Sequence, residues 1–156
     1  MNTNTQLPGE DDAGTEGVWT FTDQYNETFT VTGTFLGVGS SHRPRHKGHE
    51  ADTFIPRREH CSTCRWTEIR IFVEAGERTR YAVVNRGVSI VPGERELVTC
   101  ERFTTGFSVV EGVTTRKTQR DGSQVVALTL PAARALAQAA AHDESIRDAY
   151  VNRATV

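Results

Sequence analysis

The sequence is short of lysine and of long apolar runs. Lys47 and Lys117 are the lysines among 18 basic residues, so arginine carries almost all of the positive charge, a skew typical of GC-rich genomes. No apolar run approaches the roughly 20 residues that a helix needs to span a bilayer. Residues 1–17 also lack the basic start and apolar stretch of a secretory signal. We therefore expect a cytoplasmic protein with no membrane partner.

The chain also lacks a strong net charge. Its 18 basic and 20 acidic residues give a net charge of -2, which argues against a globally basic nucleic-acid binder. With 156 residues, 37% of them hydrophobic and 24% charged, the composition is typical of one globular domain. A chain of this length buries roughly two-thirds of the surface that its unfolded form exposes. It therefore needs no disulfides to build a core.

The distribution of apolar residues predicts an acidic tail followed by a β-rich domain. Residues 1–17 combine Pro, Gly, Asp and Glu without apolar periodicity and predict a disordered tail, with a single domain over residues 18–156. Apolar residues alternate with polar ones in "ETFTVTGTFLG" and "RWTEIRIFVE", which is the period of a half-buried strand. In the second segment, Trp66, Glu68, Arg70 and Phe72 fall on one face. Glycines at the end of the first segment predict a bulge.

Further strands and two helices complete the predicted fold. The segment "RYAVVNRGVSIVPG" predicts one or two strands with a break between Asn85 and Gly87, and "ELVTCERF" and "FSVVEGVTT" continue the β series. The Asp121-Gly122 pair predicts a tight hairpin turn. An alanine-rich helix is predicted after the cap Thr129, and a second short helix from about Asp143. We expect an α+β fold, a small antiparallel sheet or open barrel with two C-terminal helices.

Residues 40–66, "SSHRPRHKGHEADTFIPRREHCSTCRW", concentrate the chemistry of the sequence. They hold four of its five histidines and two of its three cysteines. The core of this segment shows neither strand nor helix period and contains Pro44, Gly48 and Pro56, which predicts a loop of about 20 residues. A loop this long inside a compact domain is uncommon unless it is functional or held in place. A bound metal ion would hold it.

The spacing of the cysteines and histidines predicts zinc. Cys61 and Cys64 have the two-residue gap of a structural zinc site, and His46 and His49 have the same gap. Two neutral imidazoles and two thiolates make a tetrahedral site with almost no net charge, which closes the coordination sphere and makes it structural. His42 is an alternate ligand, since it lies four residues before His46. The adjacent His60 is interpreted as a solvated loop residue.

Three other interpretations of this segment stay open. A redox dithiol needs a helix N-terminus, whereas Cys64 runs straight into a predicted strand. A small zinc-dependent hydrolase or nuclease needs an open coordination position and a carboxylate base, with His42 near the metal and Glu50 or Glu59 as candidates. The third interpretation is a basic loop whose cysteines are simply buried.

The segment also carries the clearest basic patch of the chain. Its cations and an aromatic ring could contact phosphate or an acidic protein surface: Arg43, Arg45, Lys47, Arg57, Arg58, Arg65 and Trp66. The alternative is that the arginines solubilise an exposed loop while Trp66 belongs to the core. We expect a binding module, with a host protein or nucleic acid as partner.

The chain resembles small uncharacterised proteins of actinobacteria and their phages. The resemblance lies in "SSHRPRHKGHE", "CSTCRWTEIRIF", "LTLPAARALAQAAAHD" and "AYVNRA", and covers most of the chain from Val31 onward. It implies a bacterial or phage origin and no particular activity.

Overall fold

The computed structural model describes residues 3–4, 6–42 and 65–153. Strands and helices follow each other in an order typical of an α+β fold. The strands are β1 (Thr3–Asn4), β2 (Glu16–Thr22), β3 (Thr28–Ser40), β4 (Arg65–Glu74), β5 (Arg80–Ser89), β6 (Leu97–Phe103), β7 (Thr115–Thr118) and β8 (Gln124–Ala127). The helices are α1 (Gly106–Val113), α2 (Leu130–Ala140) and α3 (Glu144–Arg153), and a 3-10 turn spans Glu10–Asp12.

The main sheet is an antiparallel meander from β2 to β6, to which the two-residue β1 adds a short parallel edge. It is curled into a half-barrel, so the predicted α+β class with an open antiparallel barrel is confirmed. Strands β7 and β8 form a separate hairpin. Its turn contains Gly122 at φ 87°, a conformation that favours glycine, as the Asp121-Gly122 pair predicted.

All three helices cover one side of the sheet, which we call the helix face. Its core joins the sheet to apolar residues of each helix: Leu36, Ile69, Ile71, Tyr81, Val83, Val109, Val110, Ala132, Ala135, Leu136, Ala139 and Ile146. Helix α2 lies directly on β3, because Gly37 and Gly39 leave room for its backbone. A Cβ at Gly37 would be 2.8 Å from the Ala139 nitrogen, and one at Gly39 would be 2.6 Å from the Ala135 nitrogen. The predicted bulge is confirmed, since the β3–β4 register shifts between Phe35 and Gly37.

The opposite side, which we call the aromatic face, carries a second core. It consists of Trp19, Phe21, Val31, Phe35, Val38, Phe72, Ala82, Val84 and Val98. Phe72 lies at its centre, with ring centroids 5.2 Å from Trp19 and 5.3 Å from Phe35. Gln24, in the β2–β3 turn, accepts a hydrogen bond of 3.0 Å from the Val98 amide on β6, so strands from opposite ends of the meander meet.

The N-terminal segment differs from the disordered tail predicted for residues 1–17. Residues 6–15 follow the aromatic face, against which Leu7 and Ala13 pack, and β2 begins at Glu16. The Gly14 amide donates to the Phe35 carbonyl at 2.7 Å. These contacts are long-range, so composition and periodicity carry no signal for them.

Two further segments differ from their predicted structure. The segment "FSVVEGV" is helix α1 rather than a strand, because Thr105 caps it and Val109 and Val110 are buried together. Its β-branched residues indicate a strand locally, and tertiary packing overrides that preference. Strand β5 continues through Asn85 and Gly87 without a break, since β4 and β6 pair with it on both sides.

Within the described part of the chain, no helix has the length and apolar character needed to cross a membrane.

Candidate functional site

The described ends of the predicted zinc loop lie side by side. In the β3–β4 ladder Ser40 is opposite Glu68, and the Ser41 amide donates to the Thr67 carbonyl at 3.0 Å. The Thr67 amide donates back to the Ser41 hydroxyl at 3.0 Å. Residues 43–64 lie outside the described residues. They include the predicted ligands His46, His49, Cys61 and Cys64 and the predicted contact residues Arg43, Arg45, Lys47, Arg57 and Arg58.

The rings of His42 and Trp66, which we call the His42–Trp66 pair, contact each other across these two ends. Their ring centroids are 4.1 Å apart with an interplanar angle of 48°. The His42 amide donates to the Ser40 hydroxyl at 3.0 Å, and the Trp66 indole donates to a Glu68 carboxylate oxygen at 2.9 Å. His42, the predicted alternate ligand, therefore packs against an aromatic ring in this structure. Its role as a ligand stays a prediction.

Glu68 joins this pair to two arginines. Its Oε1 accepts from Arg70 at 2.6 Å and from Arg86 at 2.9 Å. Burial by itself raises the pKa of Glu68, but the hydrogen bonds from Arg70, Trp66 and Arg86 outweigh it and lower that pKa to about 2. The carboxylate is therefore charged at neutral pH.

Arg70 ties the same cluster to the N-terminal segment. The residue is only 8% exposed, and its Nε donates to the Pro8 carbonyl at 2.9 Å. A buried guanidinium requires both a counter-charge and acceptors, and Glu68 and Pro8 provide them. The alternation of β4 predicted correctly that Trp66, Glu68, Arg70 and Phe72 share a face.

Carboxylates also pair with Arg65 and Arg86 at this end of the sheet. Arg65, a predicted contact residue, donates hydrogen bonds from Nε and Nη2 to the two carboxylate oxygens of Glu94, each at 2.7 Å. Arg86 pairs with Glu96 as well as with Glu68. The described part of the patch is therefore close to neutral rather than strongly basic. Sequence spacing gave no signal for these pairs, because their members come from different strands and turns.

A groove of about 650 Å³ opens beside the His42–Trp66 pair. It runs between the end of β3, the start of β4, the end of β5 and the turn before β6, and it is lined by Ser41, Arg65, Trp66, Thr67, Gly87, Val88, Ser89, Glu94, Arg95 and Leu97. Leu97 is 56% exposed there, beside the ion pair of Arg65 and Glu94. The groove therefore combines apolar surface with charged and hydroxyl groups.

The described residues offer little for metal or thiol chemistry by themselves. No group of three or more His, Cys, Asp or Glu side chains within them could hold a metal ion. Cys100 is half-buried on β6, and burial raises the pKa of its thiol, which disfavours the reactive thiolate.

Comparisons with known proteins give no family for this chain. No protein-family model matches it, no curated protein matches its sequence, and no solved structure matches its fold.

Proposed function

We propose that this chain is a zinc-stabilised binding module that holds a segment of a protein partner in the groove beside His42 and Trp66. One observation carries the proposal: the strand ends that flank residues 43–64 are fixed next to each other, at the rim of a groove with mixed walls. Grooves that combine apolar surface with a few placed polar groups are typical of binding sites.

The position of the strand ends supports a zinc site formed by His46, His49, Cys61 and Cys64. His46 is four residues from His42, and Cys61 is four residues from Arg65, so both ligand pairs begin close in sequence to a described residue. The ladder already holds those ends together. A metal ion that joins the two ligand pairs therefore closes a loop whose ends the sheet has brought close, which lowers the entropy cost of binding.

The charges of the groove favour a protein partner over nucleic acid. Binding to phosphates depends on cations that are free to replace counterions. Arg65 is paired with Glu94, and the neighbouring Arg86 with Glu68 and Glu96, so these charges are already matched. Arg95, which also lines the groove, donates to the Gln24 carbonyl and is the cation of this wall without a carboxylate partner among the described residues. Exposed Leu97 and half-buried Val88 add apolar surface, which is typical of the centre of a protein interface.

Metal content tests the zinc half of the proposal. We expect one zinc per chain by elemental mass spectrometry, and loss of that zinc in Cys61→Ser and Cys64→Ser. Cys100→Ser is the matched control and should keep its zinc, since Cys100 lies on β6 with a protonated thiol. A wild-type chain purified without chelators and free of zinc would contradict the proposal.

The partner half needs a test that locates the contact. A photo-crosslinking amino acid at Val88 should capture a partner in cells, and the purified partner is then measured by calorimetry. Leu97→Asp should weaken that binding at least tenfold, because it places a charge in the groove. Val151→Asp is the control, since Val151 is 58% exposed on α3, an element that contributes nothing to the groove lining.

Equal loss of binding in both variants, or in neither, would contradict the groove as the contact site. If the chain instead binds nucleic acid, and its affinity falls steeply between about 50 and about 200 mM salt, the contact is with a phosphate backbone through the arginine-rich segment.

A further inference from the structure

A second, smaller cavity of about 320 Å³ lies on the helix face. Strands β4 to β6 form its floor, the C-terminal end of α1 forms a wall, and the start of α2 borders it at Thr129. Thr67 lines both this cavity and the groove described above. Its volume lies at the lower end of the range for ligand sites, so it is suited to a small group.

Asn85 and Glu101 line the cavity, and neither side chain has a hydrogen-bond partner among the described residues. Asn85 is on the same face as the buried Val83, two residues earlier on β5, and is paired across the ladder with Ile69. Its carboxamide is half-buried in a cavity with mixed apolar and polar walls and forms no hydrogen bond within the described chain. The carboxamide oxygen is therefore free to accept a hydrogen bond from a ligand in the cavity.

Glu101 supplies a negative charge at the open side of this cavity. It is opposite Val83 on the β5–β6 ladder and is exposed. Among the described residues it forms no ion pair, in contrast to the carboxylates of Glu68, Glu74 and Glu94, which each meet an arginine. This charge is therefore available to a ligand.

The end of helix α1 adds to the negative potential. The last four carbonyl groups of a helix have no partner within it, and they carry the negative end of its dipole. Here the Thr114 hydroxyl donates to the Val110 carbonyl and the Thr114 amide to the Glu111 carbonyl. The last two residues of α1, Gly112 and Val113, line the cavity. Gly112 packs closely against the Phe103 ring, since a Cβ at position 112 would collide with Phe103 Cζ. This contact holds the end of α1 against β6.

We propose that this cavity binds a primary ammonium or guanidinium group through Glu101, Asn85 and the end of α1. A cation of this kind donates two or more hydrogen bonds and carries the charge that the carboxylate and the helix end favour. The aliphatic stem behind it would lie against Phe103 and Val113, which line the same cavity. The site shares Thr67 with the partner groove, but the groups proposed to bind the cation belong to neither the groove nor the zinc site, so it is tested on its own.

The test is a nitrogen-15 NMR titration of the whole chain with probes matched in size. Butylammonium and butylguanidinium should shift the backbone amides of Asn85, Glu101 and Thr115 with saturation, while butanol should not. A tripeptide with a central lysine forms a second arm. Tighter binding of the tripeptide than of butylammonium would assign the site to a basic side chain of a protein, and the reverse to a free small amine.

Variants decide whether the proposed groups do the binding. Glu101→Gln should weaken butylammonium binding at least tenfold, and Asn85→Leu should weaken it as well. Glu77→Gln removes a carboxylate from the exposed turn between β4 and β5, away from the cavity, and should leave binding unchanged. The same spectra confirm that each variant is folded. Shifts that butanol reproduces, shifts that survive Glu101→Gln, or the absence of saturable shifts with every cation would each overturn the proposal.

Discussion

At the scale of single residues, Glu68 decides how the strand ends at the candidate site are held. Its carboxylate accepts from Trp66, Arg70 and Arg86, three side chains of two neighbouring strands. A half-buried carboxylate with one cation is costly, but two cations and an indole satisfy most of its lone pairs. Removing its charge would leave Arg70, which is almost completely buried, without its counter-charge. The cluster therefore supports the position of Trp66, and through it that of His42.

The pKa of Glu68 predicts how the stability of the protein changes in acid. The pKa is about 2 in the folded protein against an ordinary value of 4.5, so the contribution is complete above about pH 4.5 and is lost as pH falls toward 2. We expect Glu68→Gln to lower the free energy of unfolding at pH 7 by about 2 kcal/mol, because a buried pair loses one partner. Urea unfolding at several pH values gives the free energy of unfolding of the wild type and of Glu68→Gln.

The difference between wild type and Glu68→Gln should shrink between pH 4.5 and 2. Glu77→Gln is the comparison, since Glu77 is an exposed acid in the turn between β4 and β5 and forms no ion pair among the described residues. A difference that stays constant over this pH range would show that the loss comes from altered packing rather than from the charge.

At the scale of elements, the contact between α2 and β3 depends on glycine. Backbone atoms of α2 occupy the space where side chains of residues 37 and 39 would stand. The Gln138 side chain on α2 then reaches the Val38 amide at 2.9 Å and the Glu10 carbonyl at 2.8 Å. One helix thus links the sheet to the N-terminal segment, and the close approach makes both contacts possible.

We expect Gly39→Ala to destabilise the protein by about 3 kcal/mol, because the new methyl group would collide with the Pro131 carbonyl oxygen and force α2 outward. Gly87→Ala is the matched control in another strand, where the nearest atom to the new Cβ is Leu97 Cβ at 3.7 Å. Its effect should stay within about 0.5 kcal/mol. Chemical denaturation of both variants gives the comparison, and equal losses would contradict the close packing of α2.

At the scale of the whole molecule, the N-terminal segment completes the half-barrel. The sheet has two cores, and the helices cover only one of them. Leu7 and Ala13 pack against the aromatic face, and the Pro8 carbonyl accepts from Arg70 within it. The segment therefore covers apolar surface that the curled sheet leaves open.

Leu7→Ala should accordingly lower the free energy of unfolding by about 1–2 kcal/mol, roughly half the cost at a fully buried leucine. Gln6→Ala, at the exposed neighbouring position, should change it by less than about 0.5 kcal/mol. Thermal and urea unfolding of Leu7→Ala and Gln6→Ala measure both changes in stability. If Leu7→Ala were as mild as Gln6→Ala, this segment would contribute little to the second core.

The sequence by itself determined the local structure: the alternation that places Trp66, Glu68, Arg70 and Phe72 on one face, the Asp121-Gly122 turn, and the cap of α2 at Thr129. Each of these follows from neighbours a few residues apart, so periodicity and turn chemistry are sufficient. The zinc ligands of residues 43–64 and the bacterial or phage resemblance stay predictions.

Only the tertiary structure decided that "FSVVEGV" is a helix, that residues 6–15 follow the aromatic face, and which carboxylate meets each arginine. The groove and the cavity also belong to this level, because their walls come from segments far apart in the chain. The physical reason is that burial and charge pairing between distant segments outweigh local preference, and one sequence read position by position contains no record of those pairs.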